Sequence, residues 1–338
     1  MNLEERIGAF VELGLYIKNL DRDELDLITD RATAENTWFT KDNVVLALEG
    51  IAQFLDRSAL ENWVAGYTPA SEGKNVGLVM AGNIPLVGFH DMLCILISGH
   101  KLSAKLSSKD QFLIKHMAEK LIQINPAFQD LISFPDMLKG IDAVIATGSD
   151  NSSRYFDHYF SKYPNIIRKN RTSCAVLDGQ ETEDDYKSLG KDIFQYFGLG
   201  CRNVSKVYTP EDFDWKKLIE SLSEFDKVLY HHKYSNNYDY NKSIYLVNKV
   251  DHLDTGFLLV TESDKMVSPI SVLFYETYKD IESLRDNLEH EKSKIQCIVA
   301  KAGLIDHSVN FGQSQLPQLS DYADGVDTMS FLSEIGQA

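Results

Sequence analysis

From Leu3 to about Leu60 apolar residues recur at helical spacing, as in Ile7, Phe10, Val11, Leu13, Leu15 and Ile17, then Val44, Leu46, Ile51 and Phe54. This spacing predicts a helical N-terminal region. The pattern then shortens. KNVGLVMAG (Lys74 to Gly82) is a brief apolar run closed by Gly and predicts a strand, and NIPLVGFHDMLCILISG predicts a helix opening just past its Pro. HKLSAKLSS predicts a strand and loop, DQFLIKHMAEKLIQI a helix, and DAVIATGS (Asp142 to Ser149) a strand ending in Gly-Ser. The alternation continues with TSCAVLD as strand, DDYKSLGKDIFQYFG as amphipathic helix and RNVSKVYTP as strand. Another α/β unit runs from about Lys216 to Val260, followed by PISVLFYETY, a helix near DIESLRDNL and the strand IQCIVA. Strands alternating with helices imply parallel, doubly wound sheets. No internal repeat, low-complexity tract or Pro/Gly-rich linker marks a boundary, and the change of domain falls near Arg171.

Charge narrows the partners. With 34 Lys and Arg against 50 Asp and Glu, the chain of 338 residues carries a formal charge of -16, a field that repels nucleic-acid backbones and anionic membranes. An anionic ligand therefore needs a local cluster of Lys, Arg or backbone N–H groups. The four cysteines, Cys94, Cys174, Cys201 and Cys297, form no CxxC pair, which argues against a zinc knuckle or a disulfide framework and for reduced thiols. MNLEERIGAFVELG does not read as a signal peptide, and the apolar stretch Val76 to Ala104 is interrupted by Asn83, Pro85, His90 and Asp91, so no membrane span is expected. Cytoplasmic residence is the resulting expectation.

The sharpest local feature is FGLGCRNVSKVY, where Cys201 follows Gly-Leu-Gly at a helix end and precedes a strand. Glycines let backbone approach a ligand, and nearby positive charge, such as Arg202, would favour the nucleophilic thiolate. The same spacing also suits a small buried apolar residue. Asn83 in AGNIP fits a plain turn as well as a hydrogen-bond donor, and Gly148-Ser149 in ATGS fits either a helix cap or an anion site at a helix start. His231 and His232 are adjacent and make a poor metal pair. Asp321, Asp324 and Asp327 lack the ligand order of an EF-hand, and no metal is expected.

Six segments, in order, resemble the acyl-CoA reductases related to the fatty-acid reductase of bacterial luminescence, divergent members of the aldehyde-dehydrogenase superfamily. They are AGNIPLVGFHD, HKLSAKLSSKD, IATGSDNSSRYFDHYF, FGLGCRNVSKVY, the Pro269 region and FGQSQLPQLSDYADGVDTMSFL, spanning about Lys74 to Leu332. The resemblance implies an aldehyde-dehydrogenase-like fold of two α/β domains with parallel sheets and a helical N-terminal region. It divides the chain into 1–171 (helical N-terminus and dinucleotide-binding domain), 172–315 (thiol domain) and 316–338, a segment returning across the domain interface.

The implied reaction reduces a fatty acyl-CoA to the fatty aldehyde with NADPH, through a thioester on Cys201, with the Asn83 amide donating to the oxyanion. Lys105, Ser108, Gly148, Ser149 and, ahead of Pro269 at a longer spacing, Glu262 fall at cofactor-binding positions. Ser108, between Lys105 and Lys109, stands where NAD-specific relatives place a glutamate, which favours a 2′-phosphate. The water-activating glutamate of hydrolytic relatives is replaced by Arg168-Lys169-Asn170-Arg171, a basic run suited to coenzyme A phosphates or to solvent. Phe311 to Gln315 matches the family's Phe-Gly segment at the active-site mouth. The competing expectations are an enzyme acting on acyl phosphates and a non-reducing acyl carrier or scaffold beside a partner. A homodimer or a complex with an acyl-supplying enzyme is a further expectation.

Overall fold

The structure, a computed structural model, describes residues 1–148 and 150–337. Two units emerge, one of residues 1–170 with 318–338, the other of residues 171–317. Both units are α/β, built from mainly parallel strands and helices.

The first unit opens with four helices, α1 (Leu3–Lys18), α2 (Arg22–Glu35), α3 (Lys41–Phe54) and α4 (Arg57–Val64). Each starts where a short polar side chain satisfies a free backbone N–H, as in the Asn2–Glu5 capping box of α1 and the Asp21, Thr40 and Asp56 caps. Then follow β1 (Asn75–Val79), α5 (Phe89–Ile97), β2 (Lys101–Lys105), α6 (Phe112–Ile124), β3 (Ile132–Ser133), β4 (Ala143–Thr147), α7 (Asp150–Phe160) and β5 (Asn165–Arg168). The strands form a parallel sheet in the order β3-β2-β1-β4-β5. Alternate residues of β4 serve opposite faces. Ile145 enters the large core with Phe89, Leu93 and Leu113, while Val144 and Ala146 meet Phe156 and Phe160 of α7.

The last segment, with α12 (Thr328–Gln337), is tied into this unit by polar bonds. Trp63 Nε1 donates to the Tyr322 hydroxyl at 2.8 Å, and Tyr67 Oη donates to Asp327 Oδ2 at 2.9 Å. His90 Nε2 donates to the Leu319 carbonyl and His100 Nε2 to the Leu332 carbonyl, each at 2.9 Å. His100 Nδ1 accepts from the Lys74 N–H at 3.1 Å, an arrangement only a neutral ring satisfies, and burial lowers its pKa accordingly.

Arg168 corrects one expectation. It is 3% exposed, forms an ion pair with Asp91 of α5 and donates to Thr328 Oγ1 at 2.9 Å, so it is neither a solvated residue nor a free phosphate ligand. Its charge is compensated inside the unit, as burial requires. Lys169 and Asn170 are exposed, and in the second unit Arg171 donates to the carbonyl of Ile295 at 3.2 Å.

In the second unit the elements are β6 (Thr172–Val176), α8 (Glu183–Phe194), β7 (Val204–Pro210), α9 (Trp215–Ser221), α10 (His232–Asn248), β8 (Leu253–Asp254), β9 (Leu259–Glu262), β10 (Val272–Tyr278), α11 (Ile281–Glu291) and β11 (Ile295–Ala300). Sheet order is β11-β6-β7-β10-β9-β8, parallel except where β8 meets β9. α10 covers a stretch rich in Tyr, from His232 to Tyr245. His231 is its extended N-cap residue, and the rings of His231 and His232 lie 5.3 Å apart and stacked. Among the described residues no three His, Cys, Asp or Glu side chains are grouped to hold a metal, and no helix is long and apolar enough to cross a membrane.

Candidate active site

The four thiols separate by environment. Cys94 and Cys174 are fully buried, and burial raises the pKa of both, which suppresses the nucleophilic form. Cys201 and Cys297 are partly exposed. Cys297, on β11, shares a 3.1 Å contact between its Sγ and Ser173 Oγ.

Cys201 stands on the turn Gly200–Asn203 that feeds β7, closed by the Asn203 N–H donating to the Gly200 carbonyl at 3.1 Å. The turn is anchored from below. Asn203, 2% exposed, accepts the Gly200 N–H on Oδ1 at 2.8 Å, and its amide donates to the carbonyls of Asp192 at 3.0 Å and Gln195 at 2.8 Å. Those carbonyls belong to the end of α8, where helical partners run out. Ser173 Oγ on β6 donates to the Cys201 carbonyl at 3.0 Å. The thiol is thus carried on a backbone fixed to α8 and β6.

α8 stops short of its sequence pattern. Tyr196 and Phe197 adopt left-handed backbone, with φ of 51° and 57°, ahead of Gly198 at 76°. Two bulky residues there cost on the order of 1–2 kcal/mol each. Packing of the Phe197 ring on His231 at 4.5 Å and on Tyr234 at 6.1 Å offsets part of this. The sharp reversal brings Gly-Leu-Gly and then Cys201 back over the end of α8.

Asp192, fully buried near the C-terminal end of α8, accepts the N–H groups of Gly312 at 2.6 Å and Ser314 at 2.9 Å. Burial pushes its carboxyl pKa up, and those two N–H bonds oppose the shift. One carboxylate therefore fixes the Phe311 to Gln315 segment to the helix that holds the cysteine turn. Arg202 reaches the same segment, donating to the Ser314 carbonyl at 3.4 Å. Asn203→Ala should strip the Asp192 and Gln195 carbonyls of their donor, costing about 1–3 kcal/mol per stranded buried group. Urea unfolding should register the loss, with a parallel slowing of thiol acylation. Wild-type values in both measurements would remove Asn203 from the supporting frame.

In the first unit the remaining predicted residues cluster at the carboxyl ends of the strands. Asn83, partly buried, lies on the loop after β1. Lys105 ends β2, with Ser108 and Lys109 exposed on the loop beyond it, and Gly148 follows β4. Because β2 and β4 flank β1 on opposite sides, the sheet order reverses at β1, and ligands of open α/β sheets bind at such a crevice. Ser149 lies outside the described residues. The N–H groups at the start of α6 are already taken: Glu35 Oε2 accepts those of Gln111 and Phe112, both at 2.9 Å. On this side of the crevice the exposed polar side chains are Lys105, Ser108 and Lys109. Glu262 ends β9 in the second unit and is exposed.

Sequence reasoning missed Asp110, Asp192, Asn203 and Ser173, which are buried polar residues serving backbone. Only Asp192 left a signal, since it falls on the apolar face of α8 beside Leu189 and Ile193.

Solved aldehyde dehydrogenases share this fold. Aldehyde dehydrogenase 21 from Physcomitrella patens, in complex with the reaction product succinate, superposes with a TM-score of 0.69 at 14% identity, covering 99% of this chain and 84% of that one. The Mycobacterium tuberculosis aldehyde dehydrogenase complexed with NAD+ gives 0.65 at 14% identity, over 90% and 74% of the two chains. Within that fold, the family model of the acyl-CoA reductases (LuxC) matches residues 37–229, more than half of the chain, and the chain belongs to that family. A long-chain acyl-protein thioester reductase from Aliivibrio fischeri is 23% identical over 247 residues, which cover 68% of this chain. The match spans half of that relative's length.

Proposed function

We propose that the protein reduces a fatty acyl thioester to the aldehyde with NADPH, through an acyl-enzyme on Cys201, and that acyl-CoA is the thioester it takes. One observation carries the reading. Of four thiols, the one in the family's motif is partly exposed on a turn braced by Asn203 and Ser173. The loop of Asn83 and the residues Lys105 and Gly148 end three neighbouring strands where a dinucleotide is ordinarily bound.

In this reading the Cys201 thiolate attacks the acyl carbon, a carbon–sulfur bond forms, and the tetrahedral oxyanion accepts a hydrogen bond from the Asn83 amide. Collapse expels the carrier's thiolate and leaves the acyl group on Cys201. When bound, NADPH supplies the hydride that reduces the enzyme thioester to the aldehyde and frees the thiol. Lys105, Ser108, Gly148, Ser149 and Glu262 are the residues proposed to hold the cofactor. Stretch 168–171 offers no carboxylate to activate water, and Arg168 is committed to Asp91, which favours thioester exchange over hydrolysis. The name of the A. fischeri relative favours a second carrier, an acylated protein thiol.

Exchanging the acyl donor among acyl-CoA, an acylated protein thiol and acyl phosphate separates these readings, and turnover with the acylated protein but not with acyl-CoA would favour the second carrier. Purified protein should consume NADPH with long-chain acyl-CoA and yield aldehyde trapped as its hydrazone; turnover with acyl phosphate alone would overturn the thioester proposal. Ser108→Glu should lower kcat/KM for NADPH relative to NADH by roughly tenfold or more, since like charges at contact cost about 1–4 kcal/mol between water-like and surface-like screening. An unchanged NADPH/NADH ratio would remove this loop from the 2′-phosphate site.

A further inference from the structure

Asp110 is a carboxylate at 2% exposure in the loop that joins β2 to α6. Its Oδ2 accepts the N–H of Leu86 at 2.7 Å, while among the described residues Oδ1 has no hydrogen-bond partner. Burial pushes the carboxyl pKa up to about 7, with the Leu86 N–H pulling the other way and Glu35 adding to the rise. A half-satisfied carboxyl in a dry site destabilises the fold by itself, so what it holds matters.

It holds the loop that carries Asn83. Leu86, 4% exposed, has a φ of 58°, left-handed backbone that a leucine adopts only when the surroundings impose it. On the other side of Asn83, a Cβ at Gly82 would lie 2.6 Å from Ser107 Oγ and 3.3 Å from Asp110 Cβ, so the loop is pressed against the 107–110 turn. That turn is closed by the Asp110 N–H donating to the Ser107 carbonyl at 3.1 Å. Asn83 is thus bracketed, with Gly82 packed on Ser107 and Leu86 bonded to Asp110.

Resting on the proposed oxyanion role of Asn83, we infer that Asp110 is a positioning residue for acyl transfer, holding the 83–86 loop in the conformation that aims the Asn83 amide. The carboxylate does not touch substrate. It acts through the Leu86 N–H, and a donor displaced by a fraction of an ångström loses much of its effect.

The test is a double-mutant cycle on Asn83→Ala, Asp110→Ala and the pair, reading single-turnover acylation of Cys201 by acyl-CoA together with the Kd for NADPH. Asp110→Ala should slow acylation about thirtyfold with the cofactor Kd within about twofold of wild type, as expected for a loss of alignment. The pair should be no slower than Asn83→Ala alone, because the two act through one interaction. Asp110→Asn, which keeps a weaker neutral acceptor, should fall between wild type and alanine. Multiplicative losses would overturn the inference, as would wild-type acylation in Asp110→Ala beside a crippled Asn83→Ala, which would leave the oxyanion reading standing. Fast acylation by Asn83→Ala would instead overturn that reading, and this inference with it. Should the alanine variant fail to fold, Asp110→Asn decides: slowed acylation with unchanged cofactor Kd and no added loss on Asn83→Ala supports the role, and a wild-type rate overturns it.

Discussion

Cys201→Ala is expected to lose acyl-thioester reduction by roughly four orders of magnitude or more, the scale on which removal of a covalent nucleophile is felt. Cofactor binding should survive, because the residues proposed to meet the adenosine end, Lys105 at the end of β2 and Ser108 on the loop beyond it, belong to the first unit. The fold should survive as well. The side chain removed is partly exposed, and the turn is held by the Cys201 carbonyl and by Asn203, groups the substitution leaves in place. The measurement is NADPH oxidation with acyl-CoA alongside a fluorescence titration of the cofactor. Retained turnover with intact NADPH binding would exclude the thiol.

Asn83→Ala carries the second large effect. An oxyanion donor placed where charge develops contributes about 3–4 kcal/mol, so kcat should fall by roughly 10²–10³ with little change in KM. The loss belongs to the acyl-transfer step, and a burst of released coenzyme A in wild type should flatten in the variant. Asn83→Asp should be at least as damaging, because a carboxylate offers no donor and repels the oxyanion. A variant that acylates at the wild-type rate would return Asn83 to the status of a turn residue.

Much of the fold was legible because strands and helices alternate with clear punctuation. KNVGLVMAG and IATGS each place a Gly just past a strand, and β1 and β4 fall there. Where the sequence misled, a local rule was overridden by tertiary contact. The helix predicted just past Pro85 begins at Phe89, because Leu86 takes a left-handed conformation held by Asp110. DDYKSLGKDIFQYFG ends its helix at Phe194 because two aromatic residues occupy positions normally left to glycine. β3 is only two residues long, and β5 escaped notice because its last residue, Arg168, looked like surface charge.

The candidate site divides in the same way. Cys201, Asn83 and Lys105 were visible as motif residues. Asp110 and Asn203, which help hold them, were not, since they have the composition of solvated loops and reveal their roles only through the backbone groups they satisfy. The basic run at 168–171 shows the converse. Its Arg168 is buried against Asp91 and joins α5, β5 and α12, a three-way contact no spacing rule anticipates.

The account rests on an acyl group passing through one sulfur, and intact-protein mass spectrometry tests that passage most directly. Protein incubated with acyl-CoA without cofactor should gain the mass of a single acyl group, mapped to the peptide containing Cys201. Addition of NADPH should return the protein to its original mass with one equivalent of aldehyde. An adduct located on another residue, or a Cys201 adduct that persists in the presence of NADPH, would contradict it.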